Sequence, residues 1–405
     1  MSAPAWLAAA GLTVTAPAPP TGDAASAYPG EFSALPAQLW HQRLPGARVA
    51  SAVHTEPAGP LLYGDLIFTG SAAEDALLMA HRRDGRLLGR LSARGAVRST
   101  PVIVGDRLFY GDSGGATWCW RLVDGRPVAE PEWVHVGPAP VLAPITVTDT
   151  HVFIADVANV VVALDRQTGE LAWRHAQKLD PGRSAELELY GHPAPALYGD
   201  VILAGFSDGT LVGLDRAAGD LLWQRRVGEG QYPDLVAPPL VVGDDAIVGG
   251  FTAPLAGLDL TTRNIRWRLD EVGAAHAATL PPDADGRTVF HGGADGVLRS
   301  INRVTGAVQW EWDSETRSAL TQPIVTPAGV VVGAASGSLY VVDAATGEQR
   351  WEWLPGFHVS GITAQPAIEG RQLVAVTNAG FLVSLVVPEV RPEAPDRPLL
   401  DRLAL

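Results

Sequence analysis

One twelve-residue frame, written five times in register, constrains this chain more than any other feature. The copies are Val162-Ala-Leu-Asp-Arg-Gln-Thr-Gly-Glu-Leu-Ala-Trp173, Val212-Gly-Leu-Asp-Arg-Ala-Ala-Gly-Asp-Leu-Leu-Trp223, Ala256-Gly-Leu-Asp-Leu-Thr-Thr-Arg-Asn-Ile-Arg-Trp267, Arg299-Ser-Ile-Asn-Arg-Val-Thr-Gly-Ala-Val-Gln-Trp310 and Tyr340-Val-Val-Asp-Ala-Ala-Thr-Gly-Glu-Gln-Arg-Trp351. The apolar alternation before Asp reads as a strand. Asp-x-x-Thr-Gly reads as a tight turn, in which Asp and Thr bond the local backbone and Gly supplies positive φ. The Trp opens the next strand, and its large apolar area suits the joint between neighbouring units.

Two further elements recur. Pro-x-x-x-Gly-Asp followed by an apolar strand occurs at Pro60, Pro101 and Pro239, with relatives centred on Pro144, Pro195, Pro281, Pro323 and Pro366. A short Gly hairpin occurs at Ser207-Asp-Gly-Thr, Ala294-Asp-Gly-Val, Ser336-Gly-Ser and Asn378-Ala-Gly. Each unit therefore holds four strands, A to D, which is one propeller blade. The prolines count eight units, and the eighth, His358 to Val387, lacks its Thr-Gly-Trp strand. Leu39-Trp40 near the chain start supplies the missing match. The expected fold is an all-β, eight-bladed propeller of four-stranded antiparallel blades over 37–387, its last blade completed by an N-terminal strand so that no edge is left between first and last. Residues 1–36 read as a flexible segment or signal remnant, and 388–405 as a flexible Pro-rich tail.

Departures from the repeat mark candidate sites. Blade 1 has Gly89 where Trp is expected, and blade 2 turns at Asp124-Gly125 with a displaced Trp133. The proline spacing is near 42 residues except between Pro144 and Pro195, where it is 51. The extra residues fall in Lys178 to Gly191, between the outer strand of blade 3 and the inner strand of blade 4. Long loops on a rigid scaffold are where binding sits. Within this one, Leu187-Glu-Leu189-Tyr190 alternates and occurs once, a pattern suited to a partner that adds a strand.

Other patterns yield to blander readings. A net charge of -14 with no basic cluster argues against nucleic acid as a partner. The run Ala5 to Val14 is too short to span a bilayer. Cys119 is the only cysteine, so no intramolecular disulfide and no Cys-based zinc site forms. Gly111-Asp-Ser-Gly-Gly115 matches a serine-protease nucleophile motif but falls where other blades place a hairpin. Asp283-Ala-Asp-Gly286 lacks the rest of a calcium loop, and the histidines show no metal-ligand spacing. Trp118-Cys119-Trp120 puts two indoles on one strand face and the thiol on the other. No catalytic, cofactor-binding or metal-binding residue is assigned.

The repeat resembles the PQQ-like β-propeller superfamily over roughly 37–387. The catalytic quinoprotein dehydrogenases within it carry a vicinal Cys pair, which one cysteine excludes. The stretch Leu187-Glu-Leu-Tyr-Gly-His-Pro-Ala-Pro195 and the blade after it resemble the BamB family of outer-membrane assembly lipoproteins. That resemblance implies a non-enzymatic scaffold without cofactor, periplasmic and outer-membrane associated, docking a BamA-like barrel assembly subunit. It assigns the contact to Leu187, Leu189, Tyr190 and Asp234. Tyr190 stands where the family has Arg, and Val236 where a second Asp is usual. Two alternatives are an enzyme or small-molecule binder using the central funnel, and a cytoplasmic or sensor-linked interaction propeller.

Overall fold

A computed structural model describes residues 37–45, 58–71, 74–178, 193–229, 232–250, 253–270, 272–273, 276, 278–279, 286–354 and 361–387. The segments 1–36 and 388–405 lie outside them. All regular structure among the described residues is β: eight antiparallel sheets arranged as an eight-bladed propeller. Blade 4 is typical, with strands Ala196–Tyr198, Val201–Gly205, Thr210–Asp215 and Leu221–Arg226 in that spatial order. Blade 6 departs. Its regular strands are Thr288–Gly292, Val297–Asn302 and Val308–Asp313, and its innermost position is reduced to a bridge between Thr279 and Phe290. In blade 2 the strand Ala116–Val123 carries an extra short pairing with Arg126–Pro127 before Trp133–Val136 completes the sheet.

The ring closes as the sequence predicts. Strand Ala37–Arg43 pairs antiparallel with Phe381–Val386, placing Trp40 opposite Ser384 and completing blade 8. The two ends of the described chain thus share one sheet, and no blade faces a gap.

The central strands are apolar on both faces because each face meets a different neighbour. In blade 3, Phe153, Val161 and Ala163 pack with Ile202, Ala204 and Val212 of blade 4. The alternate residues Val152, Ile154 and Leu164 pack with Phe109 and Cys119 of blade 2. The core is therefore a circle of inter-blade layers.

The repeated Trp fastens these layers. The indole of Trp173 lies against Gly219 in the turn of blade 4 and donates to the Arg216 carbonyl at 3.0 Å. The same pairing joins Trp133 to Gly169, Trp267 to Gly306 and Trp310 to Gly347, with indole donors at 3.0, 2.7 and 3.2 Å to the carbonyls of Arg166, Arg303 and Ala344. Trp40 packs on Gly85 in the same manner at the closing joint. The displaced Trp133 of blade 2 thus does the work of its counterparts. The Asp of each frame holds the receiving turn: Asp215 Oδ1 accepts from the amides of Ala217 and Ala218 at 2.9 and 2.8 Å, and Asp165, Asp259, Asn302 and Asp343 repeat the bond.

Where blade 1 lacks its Trp, blade 2 fills the joint instead. Trp118, Trp120 and Tyr110 reach into the layer of Leu66, Phe68 and Leu77, while Cys119 points to the blade 3 side. The Trp120 indole donates to Tyr110 Oη at 3.0 Å, and Tyr110 donates to the Ser92 carbonyl of blade 1.

These contacts separate two costs of adding a methyl group. Gly219 has φ 74°, and a Cβ there would lie 2.5 Å from Trp173 Cδ2; Gly199 has φ 57° and nothing within 4 Å. Gly199→Ala is expected to cost about 1 kcal/mol, the price of a left-handed L-residue. Gly219→Ala is expected to cost about 2 kcal/mol more, because the indole must also give way. Urea unfolding of the two variants checks this, and equal costs would remove the indole–glycine contact as the fastening element.

Candidate functional site

Antiparallel blades put the B–C hairpins and the D-to-A linkers on one face of the ring, and the A–B and C–D turns on the other. The insertion between blades 3 and 4 and the linker carrying Asp234 therefore open on the same face. Leu187, Leu189 and Tyr190 lie outside the described residues. The ends of their segment are placed. Gln177 donates its amide to the Asn159 carbonyl at 3.0 Å and its side-chain nitrogen to Asp208 Oδ2 at 3.2 Å. Pro193 packs over Gly205, where a Cβ would lie 3.1 Å from its Cγ.

The next linker, between blades 4 and 5, meets the same spot. Leu235 lies over Gly205 beside Pro193, with its Cβ 2.9 Å from where a Gly205 Cβ would stand. Its amide donates to the Phe206 carbonyl at 3.2 Å, and the Ala237 amide donates to the Gly249 carbonyl at 3.2 Å. The carbonyl of Asp234 sits against Gly250, whose bare Cα permits the approach. The structure thus brings the insertion ends and the Asp234 linker together over the Phe206–Thr210 hairpin of blade 4. Asp234 itself is 4% exposed, so its carboxyl is enclosed by the fold. The more open residues of this linker are Glu229, Tyr232 and Val236.

Polar side chains stiffen this platform. Asn159, at φ 59° and fully buried, accepts from both the amide and the hydroxyl of Ser207 at 3.0 Å, tying the blade 3 hairpin to the blade 4 hairpin. Asp156 accepts from the amides of Ala158 and Val160 at 2.9 and 3.1 Å, and burial raises its pKa although Arg174 lies near. Asp208 accepts from the Thr210 amide at 2.9 Å. Sequence reading missed Asn159; its signal was an Asn in the hairpin place where other blades put Gly, since Asn tolerates the left-handed region.

The remaining motif residues are structural. Asp112 is fully buried: Oδ1 accepts from the Gly114 and Ala116 amides at 2.9 and 3.0 Å, and Oδ2 from the Arg94 amide and the Trp118 indole, both at 2.8 Å. A carboxylate so occupied orients no histidine, and Gly111–Gly115 is a hairpin turn. Residues 281–285 of the Asp-x-Asp-Gly fragment lie outside the described residues. Among the described residues no three His, Cys, Asp or Glu side chains cluster to hold a metal ion, and no helix is long and apolar enough to cross a membrane.

This geometry is that of a PQQ-like repeat propeller with the ends of an insertion anchored on a braced hairpin face. The chain belongs to the family described as outer membrane protein assembly factor BamB, whose model matches residues 75–281 and 236–394. It is 26% identical over 50% of its length to the BamB of Legionella pneumophila, covering 52% of that protein. It is also 26% identical over 42% of its length to XoxF of Paracoccus denitrificans, a dehydrogenase by name, covering 31% of it. The chain thus spans about half the length of the first relative and about a third of the second. The crystal structure of BamB from Moraxella catarrhalis superposes with a TM-score of 0.68 at 21% identity, covering 87% of this chain and 100% of that one.

Two titratable groups buried away from the hairpin platform yield measurements. Burial, with the Glu132 carboxylate beside it, pushes the Cys119 thiol up to about 12. In the native protein Cys119 is expected to resist thiol reagents at pH 8, and to react only on unfolding, since the thiolate is the nucleophile; native-state labelling followed by mass spectrometry checks this. His291 is fully buried, with Nε2 donating to the Gly273 carbonyl at 2.8 Å. Burial first, and then the charges of Arg299 and His276, hold its pKa down to about 4. The folded state therefore binds this proton less readily than the unfolded chain. His291 contributes stability above about pH 6.5 that is lost as the pH falls to about 4, up to about 3 kcal/mol. The stability gap between wild type and His291→Gln is expected to shrink by about that amount between pH 7 and pH 4, read by urea unfolding at each pH.

Proposed function

We propose that this chain is a non-enzymatic scaffold that assists assembly of outer-membrane β-barrel proteins by docking a BamA-like barrel subunit on its hairpin face. One observation carries the reading. The insertion that breaks the proline spacing begins at Gln177, held by Asp208, and ends at Pro193 on Gly205, where the Asp234 linker also packs. Two linkers converging on one braced hairpin make a single platform, and Leu187, Leu189 and Tyr190 fall in the sequence between the two anchored ends. Leucine and tyrosine anchors flanked by polar residues have the composition of an interface core. Family membership supports the assignment of the barrel subunit as partner, and with it a periplasmic, outer-membrane associated location. Asp234 contributes through the linker it fixes, because its carboxyl is enclosed.

The dehydrogenase-named relative raises the alternative of chemistry in the central funnel. The repeat's short blades and single cysteine do not supply the vicinal Cys pair that the resemblance to quinoproteins requires, and the buried Cys119 lies in the layer between blades 2 and 3.

Docking through this platform is tested by capture. Leu187→Asp with Leu189→Asp is expected to weaken capture of the barrel subunit by about a hundredfold, as the loss of two interface anchors of about 1–2 kcal/mol each would. The same variant should keep the wild-type unfolding midpoint. Wild-type capture by a folded variant would overturn the reading.

A further inference from the structure

A second surface stands apart from the hairpin platform, on the outer rim. The outer strand of blade 4, Leu221–Arg226, is hydrogen-bonded on its inner side to Thr210–Asp215 and bounds its sheet on the other. Every blade has such an edge, but no other is as bare. Five of its six residues are exposed, whereas each of the other outer strands keeps at least two residues half or fully buried. Leu221 and Leu222 are each 47% exposed. An open edge of this kind is ordinarily blunted by charge, by proline or by cover.

The cause lies at the joint with blade 5. There the receiving turn reads Thr-Thr-Arg, so Arg263 takes the place of the glycine that receives Trp at five other joints. Arg263 holds φ 62°, a conformation costly for a residue with a Cβ. Its Cβ occupies the space that the indole takes up on glycine at the other joints. Trp223 covers Gly213 of its own blade, as Trp267 covers Gly257, and stays half-buried on the layer between blades 4 and 5, but unlike Trp267 its indole makes no hydrogen bond to the receiving turn among the described residues; the Arg263 guanidinium stands 6.0 Å from its ring centroid. Two leucines, the outer edge of a half-buried ring and free backbone groups thus remain on the surface.

The strand Leu221–Arg226 carries two arginines and no acid, although the chain as a whole has a net charge of -14. Arg225 is exposed on this strand and makes no ion pair among the described residues, and Arg263 is exposed in the turn that faces Trp223. Trp and Arg are the residues that carry binding energy most often at interfaces. Extended backbone supplies the geometry, apolar side chains the burial, and the arginines the sign.

We propose that the outer strand of blade 4 is a docking edge for an extended protein segment in which acidic residues alternate with apolar ones, added as a fifth strand of the sheet. Main-chain bonds to Leu221–Arg226 set the register, the apolar side chains of the segment cover Leu221 and Leu222, and its acids meet Arg225 and Arg263. This edge is distinct from the insertion platform, and the Leu187/Leu189 variant leaves it intact, so the two readings fail separately.

The test uses the full chain with a peptide of about eight residues alternating valine and glutamate, and a matched valine–lysine peptide. The glutamate peptide is expected to bind saturably and to slow amide exchange at Leu221–Arg226. Arg225→Glu with Arg263→Glu is expected to weaken it by about tenfold or more and to favour the lysine peptide instead. Arg263→Gly restores the standard joint: it should raise the unfolding midpoint and weaken peptide binding together. Equal binding of both peptides, protection of a different outer strand, no saturable binding, or unaltered binding by Arg263→Gly would each overturn the proposal.

Discussion

An indole seated on a glycine is the contact on which this ring depends. A blade has two apolar faces and cannot bury either alone, so every layer of the core is shared between neighbours. Without a lock the blades would slide, because dispersion and burial are not directional. The Trp supplies the lock. Its ring fits only where the receiving turn has no Cβ, and its N–H must find the carbonyl three residues before that glycine. The turn in question is itself fixed by Asp or Asn. Four of the twelve residues in the frame therefore specify one inter-blade geometry, and repetition of the frame repeats the rotation until the ring closes.

Closure disturbs the pattern in an instructive way. The blade 8 outer strand comes from the other end of the chain, so blade 8 has no Asp-x-x-Thr-Gly turn to offer blade 7. The Trp351 indole accordingly lacks a partner among the described residues although it is buried. On the other side, Trp40 reaches Gly85, but the carbonyl that should accept its proton, Arg82, accepts from Gln372 at 3.2 Å. Arg82 also donates to Gln372 Oε1 at 2.7 Å and pairs with Glu369. Polar contacts between Arg82 and blade 8 thus stand in for the indole bond at the joint where the chain ends meet.

The architecture was legible because its signals are periodic. Proline spacing fixed the blade count, and the orphaned Leu39-Trp40 fixed the closing strand. The alternation in Trp118-Cys119-Trp120 correctly separated two core layers. What the repeat does not encode is how a linker lies once it leaves the repeat. Asp234 reads as a surface acid in an irregular stretch, yet Gly250 and Gly205 admit the linker so closely that the carboxyl is enclosed. Small residues far along the chain decided its burial, and no local pattern records that. Asn159 escaped notice for the opposite reason: its left-handed backbone is ordinary for Asn, and only its bond to a hairpin 48 residues away gives it a role.

The same logic explains why variation gathers where it does. Any substitution in the frame that moves the Trp, the Gly or the Asp is felt at a joint, and through the closed ring at the others. Linkers and outer edges escape this constraint because they form no inter-blade layer. The insertion after Gln177 adds residues where a blade boundary tolerates them, and it is anchored at both ends so that the repeat on either side keeps its register. The Arg263 turn is the rarer case, a frame position that was itself changed. It weakens one joint by withdrawing the indole lock, but leaves the layer beneath intact through Leu203, Leu211, Ala246 and Leu258. A ring with redundant joints tolerates that loss at one place.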